Sequence, residues 1–175
     1  MIQTPRLVLR GWRDSDIDPF TAICRDPDVM RFLGPLSSRD EIVAIIARQN
    51  DILDSVGYCF WALERCEDGA LIGFCGLKPG PVGTPIMDDI EIGWRLGRAY
   101  WQQGYAREAA EASLAWGWDN TDAPLISAIT VQANTASWGL MERLGMKRIV
   151  DGDFVHPNAS PELNPHILYR IERPA

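Results

Sequence analysis

A strand, a glycine-containing loop and a helix follow one another in the middle of the chain, and this order can build an anion site. The strand is expected at residues 88–94, and the loop contains Gly104, which has no Cβ to keep a ligand from the backbone. A helix beginning at Tyr105 would present free N–H groups and the positive end of its dipole there. The segment indicates a pyrophosphate site, although many similar turns bind nothing.

The residues around Gly104 exclude two common phosphate-binding motifs. No Gly-Lys-Ser/Thr follows the glycine, so the loop is not a P-loop, and the chain has no G-x-G-x-x-G dinucleotide fingerprint. The formal net charge of −7 argues against a nucleic-acid binder, which would carry a basic patch. An acidic surface favours cationic partners, and an amine is one of them.

Hydrophobic spacing and turn residues predict seven strands and about four helices. The helix predicted from Tyr105 to Trp118 has small residues at helical spacing, which would let it lie close to a sheet. Ser38 and Glu41 fit a capping box at the start of another helix. The strands are expected at residues 4–10, 58–63, 71–77, 88–94, 125–131, 146–150 and 167–171, and the helices from residues 14–18, 38, 105 and 134. This order predicts one domain over residues 1–175 with a mixed α/β or α+β fold.

Three motifs in this order resemble those of the GNAT superfamily of N-acetyltransferases. Residues 101–106 are similar to its acyl-CoA motif R/Q-x-x-G-x-G/A, with Gly104 and Ala106 in place and Trp101 departing from the usual first residue. Residues 134–146 resemble N-x-x-S…E-K-L-G-F, and residues 4–10 resemble T-x-R-L-x-L-R. Both are typical of the branch that acetylates ribosomal-protein N-termini (RimJ/RimL-like). The resemblance spans nearly the whole chain.

The resemblance implies a mostly antiparallel seven-stranded sheet with a central splay, and acetyl-CoA as the cosubstrate. The pantetheine arm would enter between the strands at residues 88–94 and 125–131, and the pyrophosphate would rest on main-chain N–H groups of residues 103–107. The cofactor-binding residues that the resemblance implies are Ile92, Gly93, Trp94, Gln102, Gln103, Gly104, Tyr105, Ala106, Arg107, Asn134 and Ser137.

Transfer of an acetyl group to an amine requires a base for the amine proton and can use an acid for the leaving thiolate. Glu91 is our candidate base, acting directly or through water, with Asp88 and Asp89 as weaker alternatives and a solvated strand carboxylate as the competing interpretation. Many members of the family use a tyrosine seven residues after the asparagine, where this chain has Met141. Ser137 therefore remains as a proton donor, or as a group that positions the thiol or caps the helix.

Three loops are expected to flank the acceptor groove by analogy with the family, at residues 31–37, 78–87 and 151–166. His156 lies in the last of them, where an ordinary surface histidine is the alternative. Trp12, Trp61 and Trp94 could line the groove or belong to the core. The acceptor is expected to be a protein N-terminal amine or a small amine, with no nucleic acid or membrane as partner.

The four cysteines are far apart in sequence, and no export signal or membrane-length apolar stretch is visible. We therefore expect reduced thiols, no metal site and a cytoplasmic protein, either a monomer or a homodimer. A different class of function stays open, namely a non-catalytic acyl-CoA sensor or interaction module on the same fold. A nucleotide-dependent kinase or ligase is disfavoured by the missing phosphate-loop lysine.

Overall fold

A single mixed sheet of eight strands forms the centre of the computed structural model, which describes residues 1–174. The strand order is β1-β2-β3-β4-β5-β6-β8-β7, and every neighbouring pair is antiparallel except β5 and β6, which are parallel. The strands are β1 Ile2–Gln3, β2 Leu7–Arg10, β3 Phe60–Arg65, β4 Leu71–Pro79, β5 Ile90–Leu96, β6 Leu125–Val131, β7 Lys147–Arg148 and β8 His166–Glu172.

Five α-helices flank this sheet in the described part of the chain. They are α1 Ile17–Cys24, α2 Pro27–Met30, α3 Arg39–Val56, α4 Tyr105–Asn120 and α5 Thr135–Arg143. The predicted capping box of α3 is present, because the Ser38 amide donates to Glu41 at 2.7 Å and Glu41 N–H donates to the Ser38 hydroxyl at 3.3 Å. The predicted small-residue face of α4 is also confirmed, since Ala109, Ala110, Ser113, Leu114 and Gly117 are buried.

The two faces of the sheet are covered by different helices. On the α4 face, Leu77, Ile92 and Ile126 belong to the main hydrophobic core, and Gly117 lets the helix approach them. A Cβ at Gly117 would lie only 2.8 Å from Leu77 Cδ1, so a larger residue would push α4 away. On the α1/α3 face, a second core includes Phe20 and Ile42.

The parallel strands β5 and β6 stay together over only two residue pairs. Ile90 pairs with Ile126 and Glu91 with Ser127, and no further pairing follows among the described residues. Beyond these pairs β5 continues to Leu96 and β6 to Val131, so the strands separate towards their carboxyl ends. The predicted central splay is therefore confirmed, with Glu91 and Ser127 at its vertex.

The structure corrects several sequence predictions in detail. The two-residue strand β1 makes the sheet eight-stranded instead of seven-stranded; it pairs with β2 but is too short to show alternation. Lys78 is not in a loop, because β4 continues to Pro79 and pairs with β5. Trp12 and Trp61 are 6% and 2% exposed and lie in separate cores, so neither lines a groove.

Candidate active site

The opening of the splay is bounded by two helix N-termini. Strand β5 leads through residues 97–104 into α4, and β6 leads through Gln132 and Ala133 to the start of α5. Past Glu91, β5 is paired with β4 on one edge only, so alternate N–H and C=O groups of Ile92–Trp94 face the gap without a strand partner. The gap thus offers backbone hydrogen-bonding groups along a strand and two positive helix ends.

The N-terminus of α4 is shaped by left-handed backbone. Gly104 has φ +82° and Gln102 has φ +59°, and the Gly104 carbonyl accepts the first helical hydrogen bond from Glu108 N–H at 3.0 Å. The N–H groups of residues 104–107 have no partner within the helix, as at the start of every α-helix. The sequence prediction of an anion site uses these groups, together with the N–H of Gln103.

Side chains of this segment contribute less than its main chain. Tyr105 is 7% exposed and packs in the core, whereas Arg107 is exposed and forms an ion pair with Glu111 at 2.7 Å. The Gln103 side chain donates to the Ala99 carbonyl at 2.7 Å. These contacts agree with a main-chain site. Each of the three side chains contacts other parts of the protein, and none forms a hydrogen bond beside the free N–H groups.

Arg6 is a neighbour of this loop that the sequence analysis did not assign to the site. Its guanidinium lies 4.5 Å from the centre of the Tyr105 ring, donates to the Gln103 carbonyl at 2.9 Å and pairs with Glu108 at 2.6 Å. Burial alone would raise the pKa of Glu108, but hydrogen bonds from Thr4 and Arg6 hold that pKa below its ordinary value. The opening T-x-R motif therefore fastens the first strands to the first turn of α4.

The second helix start carries the predicted asparagine and serine. Asn134 caps α5 by accepting a hydrogen bond from Ser137 N–H at 3.4 Å, and its amide donates to Thr130 Oγ1 at 3.2 Å. The Ser137 hydroxyl is half-buried and has no hydrogen-bond partner within residues 1–174. Met141 is 2% exposed in the core, so no proton donor occupies that position.

Glu91 is a buried carboxylate at the vertex of the splay. Its side chain is 11% exposed and forms an ion pair with Lys78, which lies opposite on β4 and also 5.2 Å from the centre of the Phe60 ring. Burial raises the pKa of Glu91 above its ordinary value, and the ammonium of Lys78 opposes this rise. A carboxylate with a raised pKa is a stronger base, so the site can do acid–base chemistry nearer neutral pH.

The two alternative carboxylates are placed less well for chemistry. Asp89 Oδ2 accepts hydrogen bonds from the Ser127 hydroxyl at 2.6 Å and from Arg170 at 2.9 Å. Asp88 is exposed and precedes β5. Asp89 thus holds β5 to β6 and β8 below the vertex, which fixes the position of Glu91.

The expected acceptor loops meet on the α1/α3 side of the gap. A cavity of about 370 Å³ is lined by residues 31–32, 131–133 and 162–165, so two of the predicted loops reach the end of β6. The third adjoins them, since a Cβ at Gly83 would lie 3.6 Å from Pro157. His156 is half-buried instead of exposed, and its ring lies 5.0 Å from that of His166.

Among residues 1–174, no group of three or more His, Cys, Asp or Glu side chains is arranged to hold a metal ion, and no helix is long and apolar enough to cross a membrane. The site therefore consists of backbone groups, one buried acid and a few polar side chains.

The family is decided by a sequence match that spans most of this architecture. The family model of the acetyltransferase (GNAT) domain matches residues 6–147, which include the splay, both helix starts and Glu91. The chain belongs to the GNAT acetyltransferases. As a member of this family it is an acetyl-CoA-dependent acetyltransferase. The free N–H groups at the start of α4 and the open edge of β5 are chemically suited to the phosphate and amide oxygens of such a cosubstrate.

Individual relatives support the assignment. The N-acetyltransferase YnaD of Bacillus subtilis, itself uncharacterised, is 38% identical over 149 residues, which cover 84% of this chain and 82% of YnaD. The acetyltransferase from Agrobacterium tumefaciens has a similar fold, with a TM-score of 0.80 at 23% identity over 98% of this chain and 93% of that one. The spermidine N-acetyltransferase of Vibrio cholerae, solved with CoA and spermine, has a TM-score of 0.73 at 16% identity over 97% of both chains.

Proposed function

We propose that this GNAT enzyme transfers the acetyl group of acetyl-CoA to a primary amine by direct attack on the thioester in a ternary complex. The observation that carries the proposal is the position of Glu91, a buried carboxylate with a raised pKa at the vertex of the splay. A carboxylate at that point lies where β5 and β6 begin to separate, beside the gap that the thioester arm would enter.

The two strands and two helix starts divide the binding of acetyl-CoA between them. The N–H groups of residues 104–107 hold the pyrophosphate, and the open edge of Ile92–Trp94 binds the pantetheine arm through its amides. When bound, acetyl-CoA supplies an activated acetyl group whose carbonyl can accept a hydrogen bond from this edge. In other enzymes, the loss of one hydrogen-bond donor to a developing oxyanion raises the activation free energy by about 2.7–4 kcal/mol.

The protein must also manage the proton of the acceptor. An α-amine has a reference pKa of about 7.7–8.0 and a lysine amine one of about 10.4, so most acceptor amines carry a proton at neutral pH. Glu91 takes that proton, directly or through one water, before the nitrogen lone pair attacks the acetyl carbon. Lys78 favours the ionised form of this carboxylate, because its ammonium opposes the rise in pKa that burial causes.

The leaving thiolate is handled at the other helix start. The Ser137 hydroxyl is half-buried, free of partners in the described structure, and follows the Asn134 cap at the end of β6. A hydroxyl there can donate to the departing sulfur while the C–S bond breaks. Met141 occupies the position at which many members of the family have a tyrosine, and Ser137 is our remaining candidate for the proton donor.

The resemblance of residues 4–10 and 134–146 to the motifs of the RimJ/RimL-like branch supports membership of that branch, whose acceptors include protein N-termini. The structure of a Vibrio cholerae protein named, provisionally, a ribosomal-protein-serine acetyltransferase has the same fold. We therefore include peptide N-termini among the acceptors. The four free cysteines fit a reducing compartment, so the cytoplasm is the predicted location.

The test is release of CoA thiol from acetyl-CoA against a panel of peptides with free N-termini, polyamines and amino acids, with the products identified by mass spectrometry. The proposal predicts thiol release that requires an amine and yields an N-acetylated product. Tight acetyl-CoA binding without amine-dependent release across the panel would favour the sensor alternative.

A further inference from the structure

Among residues 1–174, Arg95 differs from every other buried or half-buried Lys or Arg. Its side chain neither donates a hydrogen bond to an oxygen atom nor forms an ion pair. The other half-buried or buried Lys and Arg side chains all have an oxygen partner: Arg10, Arg65, Lys78, Arg148 and Arg170 pair with carboxylates, and Arg173 donates to backbone carbonyls. Arg95 Nε is buried without any hydrogen-bond partner. Although the chain has 24 acidic residues, none of those described forms an ion pair with this guanidinium.

The groups around Arg95 do not neutralise its charge. Its Nη1 donates to Cys24 Sγ at 3.1 Å, and its guanidinium carbon lies 5.5 Å from the centre of the Phe74 ring and 5.9 Å from that of Phe20. Burial raises the pKa of the Cys24 thiol, so this neighbour stays neutral although Arg95 opposes the rise. A thiol is a weak hydrogen-bond acceptor, and the aromatic faces attract the charge without accepting a conventional hydrogen bond from the guanidinium.

Arg95 lies on the same face of β5 as Glu91. Ile90, Ile92 and Leu96 belong to the core on the α4 face, so residues 91, 93 and 95 face α1 and α3. The Cα atoms of residues 91 and 95 are four strand positions apart, roughly 13 Å. No side chain from β5 stands between them on this face, because the intervening position is Gly93.

The floor between these two charges is aromatic. Phe60 and Phe74 stack with their ring centres 5.1 Å apart and an interplanar angle of 11°, and both are half-buried. A Cβ at Gly93 would lie 2.7 Å from the Phe60 ring, so the glycine lets this floor press against β5. One end of the floor carries Lys78, already paired with Glu91, and the other end carries the unpaired Arg95.

We propose that Arg95 is a specificity-determining residue that binds a carboxylate of the acceptor, so that the preferred acceptors are amines bearing a carboxylate two to three residues from the reacting nitrogen. This proposal rests on the proposed function, because it takes Glu91 as the place of the reacting amine. An extended peptide segment of two to three residues spans roughly 7–10 Å. With a hydrogen bond of about 2.9 Å at each end, this length is comparable with the roughly 13 Å between the Cα atoms of residues 91 and 95. The aromatic floor would contact the stem of such an acceptor, and the planar fork of Arg95 suits a carboxylate.

The test compares di- and tripeptides that carry a free α-amine and end either in a carboxylate or in a carboxamide. We expect the wild-type enzyme to have a KM at least tenfold lower for the acid than for the amide. Arg95→Met keeps an unbranched stem against Phe74, and it should raise the KM of the acid at least tenfold while changing that of the amide by less than threefold. The KM of acetyl-CoA should be the same in Arg95→Met as in the wild type.

Two further variants keep the result interpretable. Arg95→Lys retains the charge and should recover part of the preference for the acid. Arg39→Met removes an exposed arginine of α3 that pairs with Asp18 of α1, and it should leave the acid-to-amide ratio as in the wild type. An unchanged ratio in Arg95→Met, or no preference for the acid in the wild type, would overturn the proposal.

Failure of the proposed function would look different. If the wild-type enzyme acetylates no amine, the thermal shift produced by the acid and amide peptides in the presence of CoA still tests Arg95. The carboxylate site would be supported if only the acid peptide raised the melting temperature of the wild type and this shift disappeared in Arg95→Met. It would be rejected if the acid peptide gave the same shift in the wild type and in Arg95→Met.

Discussion

Replacing Glu91 by glutamine should have two consequences that a second substitution can separate. The first is chemical: without the carboxylate, turnover should fall by about 10²–10⁴-fold, the usual contribution of a general base. The second is structural, because Lys78 would remain beside an uncharged amide. Breaking a fully buried ion pair costs about 3–5 kcal/mol, and since these side chains are 11% and 19% exposed we expect about 2–3 kcal/mol.

The double variant Lys78→Met/Glu91→Gln removes the unpaired charge. Replacing both members of a buried pair by neutral groups is often close to neutral for stability, so its unfolding free energy should lie within about 1 kcal/mol of the wild type. Urea unfolding and amine-dependent thiol release, measured on all three proteins, give both quantities. Our reasoning is refuted if the double variant regains turnover together with stability, because Glu91 would then act only through folding.

Two further predictions concern the cofactor loop and the histidine pair. Gly104→Val forces a branched side chain into a left-handed position beside Arg6, and it should weaken acetyl-CoA binding at least tenfold, about 1.4 kcal/mol. The control is Gly57→Val, which has a similar φ of +86° but no atom within 4 Å of the added Cβ. It should lose stability without losing acetyl-CoA affinity. Burial and then His156 lower the pKa of His166 to about 4, so the neutral form stabilises the fold above pH 6.5 and this contribution disappears as the pH falls towards 4. Between pH 7 and 5 the wild type should lose about 1–2 kcal/mol more than His166→Gln in chemical unfolding, and parallel pH profiles would contradict this assignment.

Local signals in the sequence were sufficient for most of the strands and helices and for the caps at two helix starts. The capping box of α3, the small-residue face of α4 and the cap at Asn134 depend on residues within a few positions of each other, and each is present in the structure. The splay came from family resemblance, since no periodicity in β5 or β6 indicates that they pair at one end only.

Contacts between distant segments were the part that could not be read from the sequence. The glycines and prolines of residues 78–87 predict a loop that includes Lys78, whereas pairing with β5 extends β4 to Pro79. The end of β5 was predicted at residue 94, which left Arg95 without a role until its neighbours on α1 and β4 were known. Arg6 contacts a helix that begins about a hundred residues later, and only its motif gave a signal.

The central claim is that the buried Glu91 acts as the base, and the pH dependence of kcat/KM tests it most directly. The profile of the wild type should show an acid limb with a pKa above the ordinary value for glutamate and distinct from the known pKa of the amine. In Lys78→Met this limb should move to higher pH, because the ammonium that opposes protonation of Glu91 is gone, and in Glu91→Gln it should vanish. A limb that persists in Glu91→Gln, or stays in place in Lys78→Met, would contradict the account.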